Sequence, residues 1–197
     1  IAYYVKKLEE VFIEATPYDA CAAIVFEPVQ GEGGFVPAPI EWVKAVRKIC
    51  DEHGILMICD EVQCGWARSG KMFASQYFAE AGAAPDIMST AKSIAGGLPL
   101  SAVTARAEIM DAVPGGTIGG TYGANAVSAA SALKIVEVME RDDYPAKAMH
   151  IADVATKAFN EWKEKYECVG DVRGLGAMIG IEFVKDKATK EPDAALV

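Results

Sequence analysis

Lys92 stands in the run Ser89-Thr90-Ala91-Lys92-Ser93-Ile94-Ala95-Gly96-Gly97, flanked by small and apolar residues just past a short apolar segment. An amine placed there would be partly desolvated, which favours the neutral form able to attack a carbonyl. A lysine whose stem lies on apolar surface while its head reaches water would give the same sequence. Asp60 follows the apolar run Ile55 to Cys59, and a carboxylate at such a strand end is costly unless it meets a cation. Arg68 or a helix N-terminus would serve as a structural partner, and a protonated ring nitrogen as a chemical one. One cofactor uses both groups: pyridoxal phosphate is held on a lysine as a Schiff base, while an acidic residue keeps its pyridine nitrogen protonated as an electron sink.

Other candidates are weaker. Gly31-Glu32-Gly33-Gly34 would let a ligand approach the backbone, though three glycines more often simply make a turn. Glu27 and Glu32 could be read as a glycosidase carboxylate pair, but nothing else in the chain resembles a sugar site. Two histidines, His53 and His150, have no ligand spacing, so no metal is expected. Five cysteines (Cys21, Cys50, Cys59, Cys64 and Cys168) form no Cys-x-x-Cys pair and read as free thiols of a reducing, cytoplasmic compartment.

The elements that must carry these residues alternate. Ala2 to Ala15 has a helical stripe of Val5, Leu8, Val11, Phe12 and Ala15, closed by Thr16-Pro17. Cys21 to Phe26 reads as a buried strand ending at Glu27, and Pro39 opens a helix that runs through Cys50 to a stop at His53-Gly54. The pattern then gives a strand over Ile55 to Cys59, a helix over Met72 to Ala81, a strand at Asp86-Ile87-Met88, the Gly96-Gly97 turn and a segment from Leu100 to Thr104. This is an α/β order with a mostly parallel sheet and flanking helices. Ligands of such sheets lie beyond the carboxyl ends of the strands, where Glu27, Asp60 and the residues after Met88 converge. A long helix from Asn125 to Arg141, the break Asp142-Asp143-Tyr144-Pro145, a helix through Tyr166, and strands over Val169 to Arg173 and Met178 to Val184 complete the chain. The break divides residues 1–143 from 144–197, the latter reading as the start of a smaller α+β domain.

The whole is 197 residues, 52% hydrophobic and 24% charged, with mean hydropathy +0.16, which excludes disorder as its main state. Nineteen Lys and Arg against 28 Asp and Glu leave a formal charge of -9 without a basic cluster, so neither nucleic acid nor an anionic membrane is an expected partner. No apolar run is long enough to span a bilayer.

Four ordered segments carry a family resemblance: Glu27-Pro28-Val29-Gln30-Gly31-Glu32-Gly33-Gly34, Asp60-Glu61-Val62-Gln63-Cys64-Gly65, Asp86-Ile87-Met88 through Lys92, and Gly119-Gly120-Thr121-Tyr122-Gly123. Together they resemble the class III pyridoxal phosphate-dependent aminotransferases, with wording nearest the 4-aminobutyrate aminotransferases. The resemblance runs from about Ile24 to about Val184 and implies part of the type I fold of these enzymes. It further implies transfer of an amino group from an omega-amino acid such as 4-aminobutyrate to 2-oxoglutarate. Acetylornithine and ornithine aminotransferases share much of the wording around Glu32 and Lys92, and a mutase or racemase would use the same lysine.

By this resemblance Lys92 holds the cofactor and shuttles the proton between substrate carbon and cofactor. Asp60 holds the pyridine nitrogen, Val62 packs on the ring face and Gln63 hydrogen-bonds the ring hydroxyl. Thr121 reaches the phosphate bound by a neighbouring subunit, so a homodimer is implied. Glu32 lies near the substrate and pairs with an arginine expected C-terminal to Val197. Trp66, the wording Arg68-Ser69-Gly70 and a longer loop at Glu80 to Ala84 depart mildly from the pattern. The ends, Ile1 and Val197, read as those of a piece without the upstream phosphate loop, ring-stacking aromatic residue and carboxylate-binding arginine. The 197 residues by themselves are therefore expected to be folded but catalytically silent.

Overall fold

The computed structural model describes residues 1–117 and 119–197. Helix α1 (Ala2–Glu14) buries Phe12, and α2 (Ile40–His53) buries Val43, Val46, Ile49 and Cys50 along one stripe. Gly54, at φ 67°, ends α2 with its N–H on the Cys50 carbonyl, a left-handed stop that costs glycine no Cβ clash. These helix faces meet Ile55, Met57, Cys59, Phe78 and Ala83 in one apolar cluster.

Four strands form the main sheet in the order β1 (Ala23–Phe26), β4 (Leu56–Asp60), β5 (Ile87–Thr90), β6 (Ala102–Ala105). The pairs β1–β4 and β4–β5 are parallel, with Phe26 opposite Cys59 and Asp60 opposite Ser89; β6 runs antiparallel to β5. The mostly parallel sheet is thus as read, and its three parallel strands end together at Glu27, Asp60 and Ala91. Asp86, 5% exposed, anchors the opposite end. It accepts the Met57 N–H at 2.7 Å and pairs with Arg47 of α2 at 2.7 Å and with Arg106 at 3.1 Å.

Several elements differ from the sequence reading. The helix expected over Met72 to Ala81 is shortened to α3 (Ser75–Glu80). The buried Glu61 carboxylate takes the N–H groups of Ala74 and Ser75 at 3.0 and 2.6 Å, so a tertiary contact sets where the helix begins. The glycine segment forms a hairpin, β2 (Val29–Gln30) against β3 (Val36–Pro37). A short helix α4 (Ala107–Met110) follows β6.

Asn125 caps α5 (Ala126–Arg141), accepting the Val127 and Ser128 N–H groups at 3.0 and 3.1 Å. Asp143 (φ 44°) caps α6 (Tyr144–Lys165), with Pro145 in its first turn. Helix α6 packs on the hairpin β7 (Val169–Leu175) and β8 (Met178–Asp186), to which β9 (Glu191–Pro192) adds. The hairpin turn docks on the Arg68–Gly70 segment: Ala177 donates to the Arg68 carbonyl at 2.9 Å, and a Cβ on Gly176 would stand 2.4 Å from Ser69 carbonyl carbon.

Candidate active site

Asp60 is the last residue of β4, and its register with Ser89 sets the start of the Lys92 segment on the adjacent strand's end. One oxygen of Asp60, Oδ1, accepts the Val62 N–H at 2.9 Å. Among the described residues its other oxygen takes no hydrogen bond and Arg68 makes no ion pair with it, so the structural partner offered by the sequence is not the one used. Asp60 is half-buried, where a carboxylate with one open oxygen attracts a positively charged donor.

After β5 the chain enters a short 3-10 turn, Lys92–Ala95, with Lys92 at φ 48°. A left-handed backbone at a residue with a side chain costs on the order of 1 kcal/mol and needs its surroundings to hold it. Helix α5 supplies them: Ser131 Oγ donates to the Ala95 carbonyl at 2.9 Å, and Ile135 fills the space beside Gly96. Ile94 and Ala95 are buried, whereas Lys92 is exposed. This corrects the expectation of a desolvated amine: the small residues flanking Lys92 pack inward and leave its own side chain at the rim. It borders a cleft of about 800 Å³ whose walls include Trp66, Arg68, Ile135, Met139 and Lys147.

Lys92 Nζ donates to Gln63 Oε1 at 2.8 Å. Gln63 lies in the turn after Asp60 and passes directly over Gly31, where a Cβ would stand 2.5 Å from Oε1. Gly31 is itself fixed by its N–H on Glu27 Oε2 at 2.5 Å. An amine, an amide and a half-free carboxylate therefore gather at one edge of the sheet. They fit a flat ligand that bears a carbonyl carbon, a ring oxygen and a basic ring nitrogen, the donor set that pyridoxal phosphate requires.

Val62 is half-buried beside Asp60. Glu32 is exposed in the β2–β3 turn, and Thr121 is exposed in the turn closed by the Gly123 N–H on the Gly120 carbonyl at 2.9 Å. Among the described residues neither hydrogen-bonds to the Lys92–Gln63 pair. Three supporting residues escaped the sequence reading. Gly31 reads in the sequence as a turn former or a point of close ligand approach and not as the floor under Gln63, Glu61 gives an acidic signal next to Asp60, and Arg173 gives none. Among the described residues no group of three or more His, Cys, Asp or Glu is placed to hold a metal, and no helix is long and apolar enough to cross a membrane. All five cysteines are free.

The sequence and fold match known proteins over nearly the whole chain. It is 46% identical over 194 residues to the 5-aminovalerate aminotransferase DavT of Pseudomonas putida, covering 98% of this chain and 44% of that protein. It is 47% identical over 183 residues to the 4-aminobutyrate aminotransferase GabT of Escherichia coli, covering 93% and 42%. The fold superposes on a PLP-bound amine transaminase from an uncultivated Pseudomonas species with TM-score 0.91 and 36% identity, over 99% of this chain and 45% of that one. It superposes likewise on the taurine:2-oxoglutarate aminotransferase of Bifidobacterium kashiwanohense, solved with PLP and glutamate, at TM-score 0.90 and 32% identity, over 97% and 43%. The chain thus spans less than half the length of the relatives it matches. The family model for class-III aminotransferases matches residues 2–196, and the chain belongs to that family.

Proposed function

We propose that the protein carrying this chain transfers the amino group of an omega-amino acid, 4-aminobutyrate or 5-aminovalerate, to 2-oxoglutarate with pyridoxal phosphate as cofactor. The observation that carries this reading is the convergence of Lys92, Gln63 and Asp60 on one sheet edge. Pyridoxal phosphate, when bound, supplies an electron sink for the charge left on the substrate carbon as its proton departs.

The chain's own residues do the rest. Lys92 would hold the cofactor and would be the base that takes and returns the substrate proton. Its place at the rim of an open cleft suits a side chain that must swing between these tasks. Asp60 would keep the ring nitrogen protonated through its open oxygen, while the Val62 N–H fixes the carboxylate's orientation. Val62 would pack on the ring face, and Gln63, which holds Lys92 in this structure, would hydrogen-bond the ring hydroxyl. Thr121 would reach the phosphate held by a second subunit of a homodimer, and Glu32 would face the substrate. We further place a domain boundary at 143/144, supported by the caps Asp142 and Asp143 between α5 and α6, and a location in the cytoplasm, supported by five free thiols.

A racemase is the second reading, since the leucine/methionine racemase of Thermococcus litoralis is 46% identical over 173 residues, 88% of this chain. Consumption of 2-oxoglutarate with formation of glutamate separates the two. Borohydride reduction of the full-length protein followed by peptide mapping should place the adduct on Lys92; an adduct on Lys71 or Lys134 overturns the assignment. The 197 residues alone are a folded unit without transamination, and measurable turnover of 4-aminobutyrate by them would refute that.

A further inference from the structure

We propose that Arg173 is a positioning residue for the substrate side of the site, holding the Gly31–Gly34 turn, and with it Glu32, from the far end of the chain. Arg173 lies on β7, and its Nε donates to the Gly34 carbonyl at 2.7 Å across 139 residues of sequence. Its Nη1 is engaged at the same time by Asp171 at 3.0 Å and by Glu182 of β8. A guanidinium has five donors in a rigid fork, so two carboxylates can fix its plane while a third edge is left to hold a carbonyl. Lysine, a single point charge on a flexible stem, cannot reproduce that division.

The turn is shaped to receive it. Gly34 sits at φ 107°, and a Cβ there would stand 2.9 Å from Arg173 Nη2. Gly180 on β8 brings its backbone against the same place: a Cβ on it would lie 3.2 Å from the Gly34 carbonyl oxygen and 3.5 Å from Phe35 Cβ. The far side of the turn is pinned by Gly31 N–H on Glu27. Glu32 is therefore suspended between one anchor on the sheet and one on the C-terminal hairpin. A carboxylate exposed on a glycine-rich turn has many conformations available, and fixing both ends of the turn lowers the entropic cost of presenting it in one place.

The consequence for catalysis rests on the proposed role of Glu32, but the anchoring itself does not. Hydrogen–deuterium exchange on the full-length protein tests the anchor directly. In Arg173→Gln and in Arg173→Lys, exchange of the peptide covering residues 29–37 should quicken at least tenfold, with the peptide covering 55–60 unchanged. Unchanged exchange at 29–37 in both variants overturns the proposal, and a rise at 55–60 equal to that at 29–37 does so too, since it marks general unfolding. In the full-length protein, Arg173→Lys should lower kcat/KM for 4-aminobutyrate at least tenfold while the cofactor absorbance and the Lys92 adduct stay as in the parent. The same change made in a Glu32→Gln background should cost less than threefold, because the residue it positions has already lost its charge. Losses that simply multiply would sink the positioning role even with the anchor intact. A parent protein with no Lys92 adduct would instead sink the functional reading and leave the exchange result standing.

Discussion

Gln63 Oε1 accepts the Lys92 Nζ–H at 2.8 Å because Gly31, beneath it, has no side chain. The amide and amine belong to turns that follow different strands, β4 and β5, and the glycine belongs to a third segment after β1. The parallel register of those strands brings the three together at one edge, so the arrangement is a product of the sheet rather than of any local motif.

Gly31→Ala tests that dependence. The new Cβ meets the far end of a flexible side chain, not backbone, so folding should survive with the melting temperature within a few degrees of the parent. Gln63 must swing aside, and if it holds the ring hydroxyl as proposed, cofactor binding should weaken about tenfold or more, in line with ~1.5 kcal/mol for a hydrogen bond to a charged group. Titration of the full-length apoprotein with pyridoxal phosphate reads this; an unchanged affinity would remove Gln63 from the cofactor's contacts.

Asp60→Asn keeps the shape and the Val62 N–H acceptor but removes the charge. A protonated ring nitrogen would lose its counter-ion, and the rate of proton removal from substrate should fall by several kcal/mol, more than a hundredfold. Stopped-flow measurement of the half-reaction with 4-aminobutyrate gives that number. A loss smaller than tenfold would mean that the carboxylate serves the turn and not the cofactor.

Periodicity and apolar runs made most of the fold legible. The stripes of α1 and α2, the apolar runs at β1 and β4, and the starts of α5 and α6 all lie in short stretches that state their own structure, although β1 is an edge strand with Val25 exposed and not the buried strand its run suggests. Lys92 and Asp60 were legible because each follows such a run. What stayed hidden depends on residues far apart in sequence. The start of α3 is set by Glu61, thirteen and fourteen residues upstream of the N–H groups it accepts, and the Gly34 carbonyl is held by Arg173. The exposure of Lys92 was misread for a related reason: small neighbours signal packing, but the side of the turn they pack on is decided by α5.

Asp86→Ala should be among the most destabilising single changes in the chain. It takes from Arg47, whose side chain is 13% exposed, its buried partner, leaving it only the exposed Asp51 at 2.9 Å, and leaves the buried Met57 N–H without its acceptor. Burial disfavours the charged Arg47, yet the hydrogen bond and charge of Asp86 outweigh this and raise its pKa. Removing one member of such a pair costs ~3–5 kcal/mol. Urea unfolding followed by far-UV circular dichroism should show a loss in that range, with Asp86→Asn falling between the two. A loss below ~1 kcal/mol would show that solvent reaches Arg47 readily.

The buried thiols set an alkaline limit on stability. Burial pushes the Cys50 thiol up to about 11, and burial with the nearby Glu61 charge pushes Cys59 up to about 12. In the unfolded chain both ionise near the ordinary ~8.5. Between that value and about 11 the unfolded state has released protons that the folded state retains, so stability falls as pH rises. The contribution is fully present below ~8.5 and is lost progressively above it, with a slope of up to ~1.4 kcal/mol per pH unit for each thiol. Lysines and tyrosines titrate in the same region, so the comparison is with Cys50→Ala and Cys59→Ala together. That variant starts less stable at pH 7, since each change leaves a small cavity, but its stability should decline more gently from pH 8.5 to 10.5. Parallel curves for the two proteins would mean that the thiols ionise in place, by local opening of the sheet around β4.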